Sequence, residues 1–176
     1  GIFIFSGIGL VGSSDEHLNY IEEQLNSQES WKICSWHMQQ REMQVGEKND
    51  VTGWDVFESC RKEGALIVNG HEHSYHRTHV LSNIQTQEVA DDASPYEIKD
   101  GQTMIIVSGL GGKSIREQKR CLPAEKPYGC PAWASIYTAS QDADYGALFC
   151  TFQKREAYCY FKDIQGRVID EFVLEK

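Results

Sequence analysis

Hydrophobic positions change their spacing along this chain, and the changes divide it into elements. Ile2-Phe3-Ile4-Phe5 and Trp31-Lys32-Ile33-Cys34-Ser35-Trp36 are short apolar runs rich in branched and aromatic residues, which is the composition of strands. Between them, residues 6–14 are rich in glycine and serine and read as a loop. Ser13 followed by Glu16 has the spacing of a capping box, and Leu18, Ile21 and Leu25 then recur at helical spacing up to Asn26. The polar stretch 38–49 reads as a loop. A second helix is expected from Asp50 or Thr52, with Trp54, Phe57 and Cys60 on its apolar face and Gly64 as its stop. Ala65-Leu66-Ile67-Val68-Asn69 is nearly continuous in apolar character, which marks a strand covered on both faces. Strand, helix, strand, helix, strand predicts parallel strands joined by right-handed crossovers.

The pattern then loosens. Residues 78–82 read as a further short strand and 83–101 as polar and irregular, with Asp91-Asp92 and Pro95 opposing regular structure. Thr103-Met104-Ile105-Ile106-Val107 is a strand running into Ser108-Gly109-Leu110-Gly111-Gly112. That turn lacks the Lys-Ser/Thr context of a Walker-type phosphate loop, and close backbone packing accounts for it better. A long loop is expected through to residue 144, of a length that suits a rim or lid. Residues 147–152, 157–162 and 168–174, with Gln165-Gly166 at the second turn, predict an antiparallel meander. The expected fold class is α/β, with strand–helix alternation in the N-terminal part followed by an antiparallel β meander. At 176 residues the chain suffices for one domain with its own core, and 1–176 is taken as that domain.

Charge and composition exclude some partners. The net charge of −9 is spread along the chain, which disfavours nucleic-acid phosphate as a partner. There is no apolar run of about eighteen residues, so no membrane span is expected, and Ile2-Phe3-Ile4-Phe5 lacks the flanks of a signal peptide. Strand-like sequence begins at once, without an initiator methionine, so the chain is read as a fragment or processing product completed by an upstream segment or a partner chain.

None of the six cysteines forms a CxxC knuckle. Cys121 and Cys130 bracket Leu-Pro-Ala-Glu-Lys-Pro-Tyr-Gly, a loop that no regular element can take, and a bridge there would stabilise the fold by about 2–3 kcal/mol. That disulfide is expected, and with it a secreted or other extracytoplasmic location. Cys150 and Cys159 face each other if Lys154-Arg155 is a tight hairpin turn. A cross-strand bridge and two small apolar side chains on one sheet face are both open readings.

The candidate chemistry lies in Gly70-His71-Glu72-His73, directly after the buried strand. Ligands of open α/β sheets bind beyond the carboxyl ends of the strands. His37 ends the preceding strand, so crossover brings all three histidines to one edge. Neutral imidazole suits zinc, iron or manganese, and a pair of such ions can activate water and clamp phosphoryl oxygens. His71 and His73 are expected to reach different ions. His17 is read as a polar helix residue, and of His76 and His79 at least one is expected to be merely exposed. Carboxylates to complete a two-metal site are not evident. Glu72 is expected to point away, Asp50 and Asp55 to belong to the second helix, and Asp142 and Asp144 to the lid; Glu42 and Glu47 are unremarkable.

Trp31-Lys32-Ile33-Cys34-Ser35-Trp36-His37, Gly70-His-Glu-His-Ser-Tyr-His-Arg-Thr78 and Val107-Ser-Gly-Leu-Gly-Gly-Lys113, together with the ending from Ala157 to Phe172, resemble the second half of calcineurin-like metallophosphoesterases, on the purple-acid-phosphatase-like side. The resemblance covers nearly the whole chain, and its specific part is Gly-His-x-His. It implies half of a four-layer α/β/β/α sandwich, a phosphate-ester substrate, and two divalent or trivalent ions (Fe, Zn or Mn). His37 and His71 would hold one ion and His73 the other. The family's first half carries a Gly-Asp-x-x-Asp or Tyr element and an Asn-His-Asp/Glu element, yet this chain contains no Gly-Asp and no Asn-His pair. Met38-Gln39-Gln40 stands where the family commonly has a proline. Two functions follow: a metal-dependent phosphomonoesterase of which this is the C-terminal half, or a catalytically inactive structural or binding subunit that keeps the fold. A cupin-like barrel is discounted, because no glutamate follows His-x-His at the required spacing and the strands alternate with helices.

Overall fold

The computed structural model describes residues 1–122 and 130–176. Most of the loop expected between Cys121 and Cys130 therefore lies outside the described residues.

Strands β1 (Ile2–Ser6) and β2 (Lys32–Trp36) flank helix α1 (Ser14–Leu25), and helix α2 (Asp55–Lys62) leads into β3 (Leu66–Asn69). The three strands are parallel neighbours, with Cys34 opposite both Ile4 and Ile67. The crossover order expected of the sequence is thus present. The capping box forms as its spacing implies: the Ser13 hydroxyl accepts from the Glu16 N–H at 3.3 Å, and the Ser13 N–H donates to Glu16 Oε2 at 2.9 Å. Helix α2 starts later than periodicity indicates. Gln40 Oε1 accepts from the N–H groups of Thr52 and Gly53 at 2.9 and 3.2 Å, and Gly53 takes a φ of +85°, so Asp50 to Gly53 are held as a loop.

The remaining strands are β4 (Tyr75–Thr78), β5 (Val80–Asn83), β6 (Glu88–Asp91), β7 (Tyr96–Glu97), β8 (Ile105–Ser108), β9 (Trp133–Tyr137), β10 (Gly146–Phe152), β11 (Glu156–Asp163) and β12 (Val168–Glu175). One six-stranded sheet runs β1-β2-β3-β8-β4-β9, parallel through β8 and antiparallel at β4. A four-stranded sheet runs β10-β11-β12-β7, and β5 pairs with β6. The meander is as expected from its alternating pattern.

Two regions expected to be irregular contain strands, and a further strand, β4, forms where no element was assigned. β4 is polar in sequence yet buried at every position, because Arg77 and His76 find partners inside the molecule. β6 and β7 interrupt the region 83–101, where Asp91 ends β6 and Asp91 Oδ2 accepts from the Glu97 N–H in β7. β9 replaces part of the supposed lid, since its apolar residues pair with β4 and fill the core.

Alternate residues of the central strands enter different cores, as the period of two requires. Ile4, Cys34, Ile67 and Ile105 pack on the helix side with Ile21, Leu25 and Phe57. Ile33, Leu66 and Ile106 pack on the other side with Phe161, Phe172 and Leu174 of the meander. Burial on both faces is why these strands read as unbroken apolar runs. The layers run helices, sheet, sheet. Disulfides reinforce them: Cys121–Cys130 forms as expected, Cys150–Cys159 closes between directly opposed residues, and an unforeseen Cys34–Cys60 bridge ties β2 to α2.

Candidate functional site

The carboxyl ends of β2 and β3 are locked together. Asn69, the last residue of β3, is buried; its Nδ2 donates to the Trp36 carbonyl at 3.0 Å and its Oδ1 accepts from Gln39 Nε2 at 3.0 Å. The Gly70 N–H then donates to the His37 carbonyl at 3.3 Å. Buried Gln39 and Gln40 thus turn the chain after His37 by side-chain hydrogen bonds to backbone and Asn69, at the place where the resembling family has a proline.

This framework brings two of the three candidate ligands into contact. His37 Nε2 and His71 Nδ1 lie 2.9 Å apart, and the rings meet nearly edge-on. On the far side of the second ring, His71 Nε2 lies 3.3 Å from Asp50 Oδ2. Asp50 was expected in the second helix; its loop carries it to the site instead. Helical periodicity cannot reveal this, because the hydrogen bonds to Gln40 fix the loop.

His71 has a φ of +49°, a left-handed conformation that costs energy for a residue with a Cβ and that clusters at functional sites. The turn around it is tight: the Glu72 N–H donates to the Gly70 carbonyl at 2.6 Å and the Ser74 N–H to the Glu72 carbonyl at 2.9 Å. Two glycines make room for that turn. A Cβ on Gly109 would lie 1.8 Å from the Glu72 carbonyl oxygen, and one on Gly46 would lie 2.2 Å from the Glu72 carboxyl carbon. The glycine turn after β8 is therefore a packing device, as expected.

Glu72 is fully buried against Gly46, with neither carboxylate oxygen hydrogen-bonded and Arg116 Nε 3.7 Å away. Burial raises its pKa, an effect that the Arg116 charge partly offsets. His73 places Nδ1 2.5 Å from Ser114 Oγ. Burial first, and neighbouring positive charges second, lower the pKa of both His71 and His73, which favours the neutral imidazole that ligates metals.

Other candidates have structural roles. His76 is fully buried edge-on to Trp133, with Nδ1 3.1 Å from Ser74 Oγ, and His79 is half-buried beside Tyr96. The expectation that one of them is exposed fails: His76 lies in β4 between two strands, and His79, just after it, is held by its N–H to the Ala132 carbonyl at 2.8 Å. His17 pins the first loop through Ser6 and the Val11 carbonyl. Asp142 closes a short 3-10 turn, and Asp144 accepts from Tyr145 and Gln165.

Two nitrogens at 2.9 Å are spaced as cis ligands of one ion, given metal–nitrogen distances of about 2.0–2.1 Å. A carboxylate on the outer nitrogen of a ligating histidine is the usual means of fixing its ring and tautomer. The donor chemistry of His37 and His71 fits a metal to that extent. Among the described residues, however, no three His, Cys, Asp or Glu side chains converge on one ion position. A cleft of 340 Å³ lined by Ser35, His37, Asn69 and Ser108 opens beside the pair.

The sequence matches no protein-family profile and no curated protein. The fold does have a likeness among solved structures: that of PhoD superposes with a TM-score of 0.57 at 11% identity, over 95% of this chain and 34% of that one. The two share an α/β fold, and the present chain spans about a third of PhoD's length.

Proposed function

We propose that this chain is the C-terminal part of a metal-dependent phosphomonoesterase whose site is completed by an N-terminal segment or a partner chain. The observation that carries the reading is the His37–His71 contact with Asp50 behind it, at the carboxyl edge of a parallel sheet. The Gly-His-x-His resemblance to calcineurin-like metallophosphoesterases and the fold likeness to PhoD support it. His37 and His71 would hold one ion and His73 a second, with iron, zinc or manganese suited to such imidazole ligands. When bound, such ions polarise phosphoryl oxygens and lower the pKa of water. Asp50 would hold the His71 tautomer, and Ser114 the His73 ring. Bridging carboxylates would come from the completing segment. Three disulfides fit an oxidising, extracytoplasmic compartment, and no helix among the described residues is long and apolar enough to cross a membrane.

A second reading, an inactive binding or structural subunit on the same scaffold, is favoured by the absence of a three-donor group among the described residues. Metal analysis separates the two. Calorimetric titration with zinc or manganese should show stoichiometric binding that is lost in His71→Ala and reduced in His73→Ala, with p-nitrophenyl phosphate hydrolysis appearing once the completing segment is supplied. A folded protein that binds neither ion would leave the inactive reading standing.

A further inference from the structure

Strand β1 is the outer strand of the six-stranded sheet, and among the described residues no strand pairs with its free edge. Backbone hydrogen-bonding groups point alternately to the two edges of a strand. The Ile2 N–H donates to the Trp31 carbonyl on the β2 side, so Phe3 and Phe5 direct their N–H and C=O groups away from β2. Their rings are 54% and 67% exposed and stack on each other, with centroids 6.3 Å apart and planes 12° from parallel. They line an apolar cleft of 580 Å³ between the two sheets, whose other wall includes Leu148 and Phe152 of β10.

Natural sheets protect such edges with charged side chains, proline or bulges. β1 has none of these, although the chain carries 17 Lys and Arg and 26 Asp and Glu. Its segment Phe3-Ile4-Phe5 is symmetric about Ile4. Laid antiparallel on a copy of itself with a two-fold axis at Ile4, Phe3 of each strand falls opposite Phe5 of the other. Both Phe pairs then occupy positions that exchange N–H and C=O bonds, because these are the residues whose backbone groups point outward. The phenyl rings of both strands share one face as cross-strand aromatic pairs, which stabilise sheets. Any extended strand could satisfy the backbone groups. A second copy also matches each exposed Phe with a Phe, and the two-fold leaves no β1 edge open to a third chain.

We infer that two copies of this chain associate through β1, paired antiparallel about Ile4, so that the six-stranded sheet continues across a two-fold axis. None of the histidines takes part, and the association is independent of the phosphoesterase reading. The paired strands are uncharged while each copy carries a net charge of −9, so repulsion between the copies acts at long range and added salt should strengthen the dimer.

The test is sedimentation equilibrium of the chain across a wide range of concentration, and a monomer–dimer equilibrium is expected. Phe5→Lys puts a cation on the edge and removes both Phe3–Phe5 pairs at once, so it should weaken dimerisation about a hundredfold. Phe5 is exposed, so the variant keeps the fold, which circular dichroism checks. Disulfide capture reads the register. The chain has no free cysteine, so an introduced thiol has no native partner. Phe3→Cys mixed with Phe5→Cys should oxidise to a covalent heterodimer that keeps one Phe3–Phe5 pair, because hydrogen-bonded partners about 5.5 Å apart at Cα lie within disulfide reach. Either variant alone should stay uncaptured, since equal positions are offset along the paired strands. A chain that is monomeric at every concentration, association beyond the dimer, a dimer not weakened by Phe5→Lys, or absence of capture in the mixture overturns the inference.

Discussion

Arg77 on β4 meets Asp170 on β12 through two parallel hydrogen bonds, Nε to Oδ2 at 2.7 Å and Nη2 to Oδ1 at 3.0 Å, with both side chains almost wholly buried. Tyr75 donates its hydroxyl to the same Oδ2 at 2.6 Å, and the guanidinium lies 4.2 Å from the Phe172 ring centroid. The pair joins the six-stranded sheet to the four-stranded sheet. It holds β4, and with it the end of the histidine turn, against the meander. Removing one partner leaves a buried charge without its counterion, so Asp170→Ala should cost about 3–5 kcal/mol. Replacing both, as Arg77→Met with Asp170→Leu, should recover most of that. Urea unfolding of the two single variants and the double variant decides; a single-variant cost below about 1 kcal/mol would show the pair to be peripheral.

His76 gives the fold an acid limit. Burial pushes its pKa down to about 3, the Met43 backbone offsetting only part of the effect. In the unfolded chain the value is about 6.5. The folded state therefore resists protonation while the unfolded state accepts it, so stability is full above about pH 6.5 and falls as pH drops toward 3. At pH 5 the loss from this residue alone is about 2 kcal/mol. His76→Phe, which keeps an aromatic ring against Trp133, should flatten the stability profile between pH 7 and pH 5, measured by urea unfolding at each pH. An unchanged slope would assign the acid limit to another group.

Much of this architecture is legible in the sequence because burial on both faces leaves a mark. β1, β2, β3 and β8 are apolar runs, and their order with two amphipathic helices places His37 and His71 at one edge before any coordinates are known. What escapes is whatever depends on partners distant in sequence. β4 looks like a polar loop because Arg77 is neutralised by Asp170, ninety-three residues away. Asp50 looks helical because nothing local announces that Gln40 captures the following backbone. Cys34–Cys60 escapes too, since each cysteine reads as a small core residue on its own element, and only the packing of α2 on β2 brings them together.

The disulfides should differ in both worth and accessibility. On the chain-entropy account the Cys34–Cys60 bridge, with a sequence separation of 26, contributes about 3.5 kcal/mol, against about 2.6 kcal/mol for each bridge with a separation of 9. Cys34 and Cys60 are wholly buried, whereas Cys121 and Cys130 are partly exposed. Mild reductant on the native protein should therefore open Cys121–Cys130 before Cys34–Cys60. Alkylation followed by peptide mass spectrometry reads the order, and early labelling of Cys34 would contradict the buried position of that bridge. The paired alanine variant of Cys34 and Cys60 should lose the most stability of the three.

Two glycines of one turn offer the sharpest test of how the histidine site is built. A Cβ on Gly109 would lie 1.8 Å from the Glu72 carbonyl oxygen and 3.4 Å from the His73 Cα, both backbone atoms that cannot rotate away. A Cβ on Gly111, two residues on, meets nothing within 4 Å, and its φ lies outside the left-handed region. Gly109→Ala must displace the turn that carries His71, Glu72 and His73, at a cost of about 1–3 kcal/mol for overpacking. Gly111→Ala should leave stability within about 0.5 kcal/mol of the parent. The His37–His71 contact depends on the same turn, so imidazole NMR shifts of both rings should move in Gly109→Ala and stay fixed in Gly111→Ala. Equal behaviour of the two variants would mean that Asn69 and Gln39, not the glycine seat, set the geometry of the pair.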